Sequence, residues 1–176
     1  MKYLLPPVTA AELDLLREKL DLTANLPRGI ISGIGVAIAG AGIWAAISIA
    51  TGYRVAYLSL GVGVLCGMAV RLSGKGVSMP FGVVGCLTTL AGCFLGNLFT
   101  VAGIISGEQG IDIVHVLSGL DYQLAFDVIV AFAEPLDPFL YTVAAFEGYR
   151  LAFRPLSEAE LVLIGRRHES ANYEAR

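Results

Sequence analysis

Charge is scarce in this sequence, and over one long stretch it has a single sign. Charged residues make up 15% of the 176 positions, against about 25% in soluble domains. Between Val77 and Tyr149 there is no lysine or arginine at all. The net charge is −3 and no basic stripe exists, which excludes nucleic acid as a partner. Cysteine is equally sparse. Cys66, Cys86 and Cys93 lie inside apolar stretches without a CxxC or Cys/His spacing, so they support neither a disulfide framework nor a zinc site and are expected to act as small packing residues. A nucleophile–base pair, a Walker loop and an HExxH motif are all missing, so the sequence gives no ground for an enzyme, a metal or a cofactor.

What the chain has instead is apolar length. Hydrophobic residues make up 56% of it, mean hydropathy is +0.71, and these residues fall in long runs, which points to lipid as the surrounding solvent. Gly29–Gly52 carries no charge and is long enough to span a bilayer with tilt. Val55–Val70 sits between Arg54 and Arg71, whose long side chains can snorkel. Met79–Ser106 has Pro80 at its first turn, where a missing N–H costs little. Pro138 to about Phe153 is the last run, with Asp137 expected as its N-cap.

The fold class that follows is all-α: a polytopic four-transmembrane-helix bundle with short amphipathic flanking helices. The spans are expected at about 29–52, 55–71, 79–106 and 138–154. Residues 1–28 form a cytosolic amphipathic helix signalled by the capping box Thr9-x-x-Glu12 and by Leu13, Leu16 and Leu20, ending at Asn25–Pro27. The opening MKYLLPP resembles a secretory signal, but Glu12, Asp14, Arg17, Glu18 and Lys19 interrupt any apolar core, so this segment is expected to be retained. Residues 155–176 contain a second capping box, Ser157-x-x-Glu160, opening a short cytosolic helix. Residues 107–136, with Asp121, Asp127 and Glu134 among apolar neighbours, fit an interfacial segment. Starting the fourth span at Val128 is the alternative, but Glu134-Pro135 and Asp137-Pro138 would break it near its middle.

Lysine and arginine fix the orientation. Lys2, Arg17, Lys19 and Arg28 precede the first span, Arg71 and Lys75 flank the second loop, and Arg150, Arg154, Arg166 and Arg167 close the chain. Both termini are therefore expected in the cytosol of a plasma membrane, the bacterial inner membrane by preference. Trp44, Tyr53, Tyr57 and Tyr141 fall toward the outer interface as an aromatic belt.

Three GxxxG pairs, Gly29/Gly33, Gly63/Gly67 and Gly92/Gly96, allow close helix approach, either within one chain or between copies. Glu147 lies about 14 Å into the last span, counted from Pro138. A carboxylate at that depth needs a partner; Arg150 and Arg71 are the candidates for an intramembrane salt bridge, with a proton- or ion-handling role as the sharper alternative. Asn97 is the other intramembrane polar group and stands near the outer boundary, at a different level from Glu147. Asp112 and His115 share a helical spacing but are too few for a metal site.

The run GVLCGMAVRLSGKG (Gly63–Gly76) and the segment Asp137–Arg150 resemble the second-span ending and the final segment of uncharacterised small bacterial four-span membrane proteins. The resemblance implies topology and no activity. The expected function is that of a non-enzymatic integral membrane subunit, a structural, anchoring or sensing component of an oligomer or a larger complex. Its partners would be the lipid bilayer and either further copies of itself or another membrane or cytosolic protein. An ion- or proton-conducting oligomer using Glu147 is the rival reading, and a membrane enzyme the third.

Overall fold

The computed structural model describes residues 18–155, apart from 21, 54, 120–122, 124–126 and 128–135. Among the described residues every regular element is a helix: α1 (Leu26–Thr51), α2 (Leu58–Gly74), α3 (Met79–Gln109), α4 (Ile113–Gly119) and α5 (Asp137–Leu151). Two of them, α1 and α3, are long and apolar enough to cross a membrane; α2 is apolar but shorter. The capping box at Thr9, the Val128 alternative and the C-terminal helix after Ser157 lie outside the described residues.

Local chemistry sets the helix ends. Asn25 caps α1, its side-chain oxygen accepting from the Arg28 N–H at 2.9 Å, with Pro27 in the first turn where no N–H is needed. The Asn25–Pro27 signal, expected to close an N-terminal helix, thus opens α1, three residues before Gly29. Gly52 and Gly110 end α1 and α3 in the left-handed conformation, which glycine adopts without steric cost. Lys75 does the same after α2 at φ 53°, its N–H donating to the Arg71 carbonyl at 3.0 Å. Leu136, not Asp137, occupies the N-cap position of α5; Asp137 stands in the first turn with its side chain buried. An acid before Pro138 has the chemistry of a cap, but the helix already includes Asp137, one residue before the expected start.

The four long helices pack as a rhombus. α2 and α3 touch each other along the short diagonal and each also touches both α1 and α5, while α1 and α5 stand apart as backbones and meet through side chains, Trp44 against Tyr141. Neighbours along the glycine contacts give the directions: Gly33 faces Thr88 and Gly96 faces Trp44, so α1 and α3 run parallel, while Gly63 meets Ala144 and Gly67 meets Gly148, so α2 and α5 run parallel to each other. Gly29 meets Gly74, which makes the two pairs antiparallel. One end of the bundle is laced by the α2–α3 turn. The Gly74 carbonyl accepts from the Asn25 N–H at 2.8 Å and the Gly76 carbonyl from the Arg154 N–H at 2.9 Å, so the start of α1 and the segment after α5 dock on one loop.

The distribution of polarity is inverted relative to a water-soluble bundle. Ile31, Ile38, Leu65, Leu87, Phe94 and Phe146 point outward, whereas Ser48, Ser59, Thr88, Thr89, Asn97, Thr100 and Asp137 are buried between the helices. The buried apolar groups are mostly small, Ala37, Ala41, Ala144, Cys66 and Cys93 among them, so the helices approach closely and gain dispersion contacts rather than hydrophobic area.

Candidate functional site: a buried polar pocket at one end of the bundle

At the end of the bundle opposite the α2–α3 turn, Trp44 and Ser48 of α1, Val55 and Ala56 of the following turn, Asn97 and Thr100 of α3 and Asp137 of α5 enclose a small cavity. Its volume, about 10 Å³ for the centre of a water-sized particle, is room for one water or one small ion. Three helices converge here because their residues share a level. Asn97 lies one position past Gly96, which receives the Trp44 ring, and the Asn97 amide donates to the Tyr141 hydroxyl across the α3–α5 contact. Trp44 and Tyr141 meet edge to face with centroids 6.3 Å apart. Of the four aromatics expected toward the outer interface, these two pack into the bundle at this end, whereas Tyr53 and Tyr57 are exposed.

The hydroxyls of the bundle interior differ in how they are satisfied. Thr100 donates to the Gly96 carbonyl at 2.7 Å, Thr89 to Gly85 at 2.8 Å, Thr88 to Val84 at 2.8 Å and Ser59 to Ala56 at 2.7 Å. Each therefore returns its proton to a carbonyl within three or four residues, the ordinary solution for Ser and Thr in an apolar helix. Ser48 does not: its hydroxyl is buried and has no hydrogen-bond partner among the described residues. Leaving a buried hydroxyl unpaired costs about 1–3 kcal/mol. It stands in the wall of the same cavity as the Asp137 carboxylate.

Asp137 was read from sequence as a cap and Asn97 as an isolated polar group. The structure brings them into one pocket. The available signal was the level: Asn97 near the outer end of the third span and Asp137 at the outer start of the fourth give the same depth when both are counted along their helices.

Glu147 lies elsewhere. It is half-buried on α5 with its side chain 32% exposed, and Arg150, 69% exposed, approaches it only to 3.9 Å. Arg71 forms no ion pair with it among the described residues, and Glu147 opens into no cavity shared with Asn97. The three glycine pairs face inward: Gly29 against Val70 and Gly74, Gly33 against Val70 and Thr88, Gly63 and Gly67 against the backbone of α5, Gly92 against Val62 and Ala37, and Gly96 against Trp44. Asp112 accepts from the Val114 N–H at 2.8 Å and so starts α4, while His115 is exposed; no group of three metal-ligating side chains exists among the described residues. No protein-family model, curated protein or solved structure matches the chain.

Proposed function

We propose that the protein is a four-span integral membrane protein with both termini cytosolic, acting without catalysis as a structural, anchoring or sensing subunit of a membrane assembly. The inverted polarity carries this reading. The long helices turn large apolar side chains outward and bury Ser48, Ser59, Thr88, Thr89, Asn97, Thr100 and Asp137 between them, which is stable where the surroundings are lipid and costly where they are water. α2 and α5, about 25 and 22 Å long by their 17 and 15 residues, pack side by side with α1 and α3. A bilayer that holds the long pair therefore holds the short pair too, and the Arg71, Lys75, Arg150 and Arg154 end is the cytosolic one.

The subunit role is supported by what the glycines leave free. With the GxxxG pairs facing inward, the outward face of α1 still presents Gly35, Ala39, Gly42 and Ala46 on one stripe, and a Cβ on Gly35 or Gly42 would meet nothing within 4 Å. Such a face admits another helix at short distance, a second copy of this chain being the occupant. Conduction through Glu147 draws no support from its place beside Arg150 at the bundle surface.

Two measurements test this. Reporter fusions after Tyr53 and after Gly110 should be active outside the membrane and a fusion at Arg176 inside; the reverse pattern ends the cytosolic placement of the termini, and loss of the membrane fraction under alkaline extraction ends the four-span reading. Native mass spectrometry after gentle extraction should then find a homo-oligomer that Gly42→Leu converts to a monomer. A strictly monomeric wild type without companion would end the subunit reading.

A further inference from the structure

We propose that the cytosolic end of α2, where Arg71 and Lys75 close the helix beside Arg28 of α1, is a docking site for one anionic phospholipid of the inner leaflet. This site presupposes the four-span reading above and goes beyond it by assigning one headgroup chemistry to one place on the surface. The first observation is a charge imbalance. Arg28, Arg71, Lys75, Arg150 and Arg154 all stand at the end of the bundle laced by the α2–α3 turn. Arg150 has Glu147 at 3.9 Å and Arg154 donates to the Thr23 hydroxyl at 3.5 Å, so both have partners. Glu18 and Lys19, adjacent and exposed in the stretch before α1, offset each other. Arg28, Arg71 and Lys75 remain: their side chains make no hydrogen bond or ion pair among the described residues. Three cations in one place without a counterion attract an anion from outside the protein.

The second is how the three are placed. Lys75 follows Arg71 by four residues and its N–H donates to the Arg71 carbonyl at 3.0 Å, so the two stand one turn apart on one flank of α2. That flank is the one beside α5, because Gly67, a turn before Arg71, packs on Gly148 and Leu151. Arg28 comes from the opposite flank, where its neighbour Gly29 packs on Val70 and Gly74. Arg71 is half-buried and lies about 6 Å deeper along the helix than Lys75. A guanidinium at that depth without a carboxylate is costly, and a phosphodiester satisfies it with two parallel hydrogen bonds.

The third is the surface next to the charges. Leu65, Met68 and Leu72 are 51%, 43% and 66% exposed and follow one another at three and four residues, so they form an apolar stripe along α2 that ends at Lys75. α2, about 25 Å long by its 17 residues, is shorter than the roughly 30 Å hydrocarbon core, so Arg71 and Lys75 reach the phosphate layer along their stems. An acyl chain laid on the stripe carries its headgroup to these two cations. A zwitterionic headgroup brings its own ammonium against them, whereas an anionic one does not, and this difference sets the selectivity.

The test is native mass spectrometry of purified full-length protein in detergent, titrated with dioleoyl phosphatidylglycerol or with dioleoyl phosphatidylcholine. Wild type is expected to hold one phosphatidylglycerol per chain with about tenfold higher affinity than phosphatidylcholine. Arg71→Gln should lower that affinity about tenfold, as loss of one charge-assisted contact does. Lys75→Gly should lower it too, and that variant keeps the fold because glycine suits the φ of 53° at this position. Lys19→Gln removes one positive charge from the same side of the membrane but outside the site, and should titrate as wild type.

Four results would overturn the proposal. Equal affinity for the two lipids in wild type is the first. A loss in Lys19→Gln as large as in Arg71→Gln would reduce the preference to diffuse attraction. Release of the lipid by excess inorganic phosphate would give the site to a free anion, and a dimer that carries no lipid would give the α2 face to a second copy. Alkaline extraction of the wild type separates this site from the four-span reading beneath it. A protein that stays in the membrane and shows no lipid preference loses the site alone; one that washes out loses both.

Discussion

Gly85 of α3 and Gly148 of α5 pack backbone on backbone: a Cβ placed on Gly148 would stand 2.8 Å from the Gly85 carbonyl oxygen and closer still to the Thr89 hydroxyl. No rotamer change relieves that contact with the carbonyl, because it belongs to the helix itself, and the Thr89 hydroxyl is committed to the same Gly85 carbonyl at 2.8 Å. Gly148→Ala must push α5 away from α3. The expected cost is about 1–3 kcal/mol, the range for overpacking a filled interior. Gly42→Ala, with open space at its Cβ, should instead be neutral or stabilising by up to about 1 kcal/mol, as Ala replaces Gly inside a helix. Reversible unfolding of both variants in mixed micelles separates the two outcomes, and equal effects would mean that α5 is not seated on α3 in this way.

The Asn97–Tyr141 hydrogen bond joins the same two helices at the other end of their contact. Side-chain hydrogen bonds between membrane helices contribute modestly, about 0.6 kcal/mol on average in double-mutant cycles. Tyr141→Phe keeps the ring that packs on Trp44 and removes only the hydroxyl. A cycle with Asn97→Ala should therefore give a coupling of about 0.5–1.5 kcal/mol, whereas Tyr141→Ala should cost considerably more through lost aromatic packing. A coupling of zero would place the two side chains apart in the folded protein.

Much of the helical plan was legible in the sequence because it depends on composition alone. Unbroken apolar runs, Pro80 in a first turn and Gly52 at a helix end each constrain one stretch of chain without reference to any other. The pocket was hidden for the opposite reason. Trp44, Asn97, Asp137 and Tyr141 are far apart in sequence and each has an ordinary local explanation: belt aromatic, stray amide, helix cap, belt aromatic. Only the rhombic packing, which puts α3 between α1 and α5, gathers them. Glu147 drew attention by position in an apolar run, yet periodicity could not say whether it faced the bundle or its surroundings, since an all-apolar helix has almost no polar face from which to read a direction.

Lys75 ends α2 at φ 53°, in the conformation that glycine adopts at Gly52 and Gly110. A residue with a Cβ is disfavoured there, and the carbonyl that its N–H satisfies would be satisfied equally by glycine. Lys75→Gly should raise stability by about 0.5–1 kcal/mol, less whatever the more flexible unfolded chain regains. Thermal unfolding in detergent measures this, and a fall in stability would mean that the lysine stem makes a contact important enough to outweigh the backbone gain.

Glu147 offers the sharpest contrast with Asp137, because both are carboxylates of α5 and the fold treats them differently. Asp137 is buried among polar side chains at the start of the helix, whereas Glu147 keeps a third of its side chain exposed and meets Arg150 only at 3.9 Å. Exposed pairs of this length contribute little, about 0–1 kcal/mol, and an i,i+3 pair on one helix stays within a few tenths. Glu147→Gln should accordingly leave stability within about 0.5 kcal/mol of wild type. If the glutamate carried ions or protons, the same variant would change flux in proteoliposomes while the fold remained intact. The expected result is no change in either quantity, and a flux defect with normal assembly would restore conduction as the leading function.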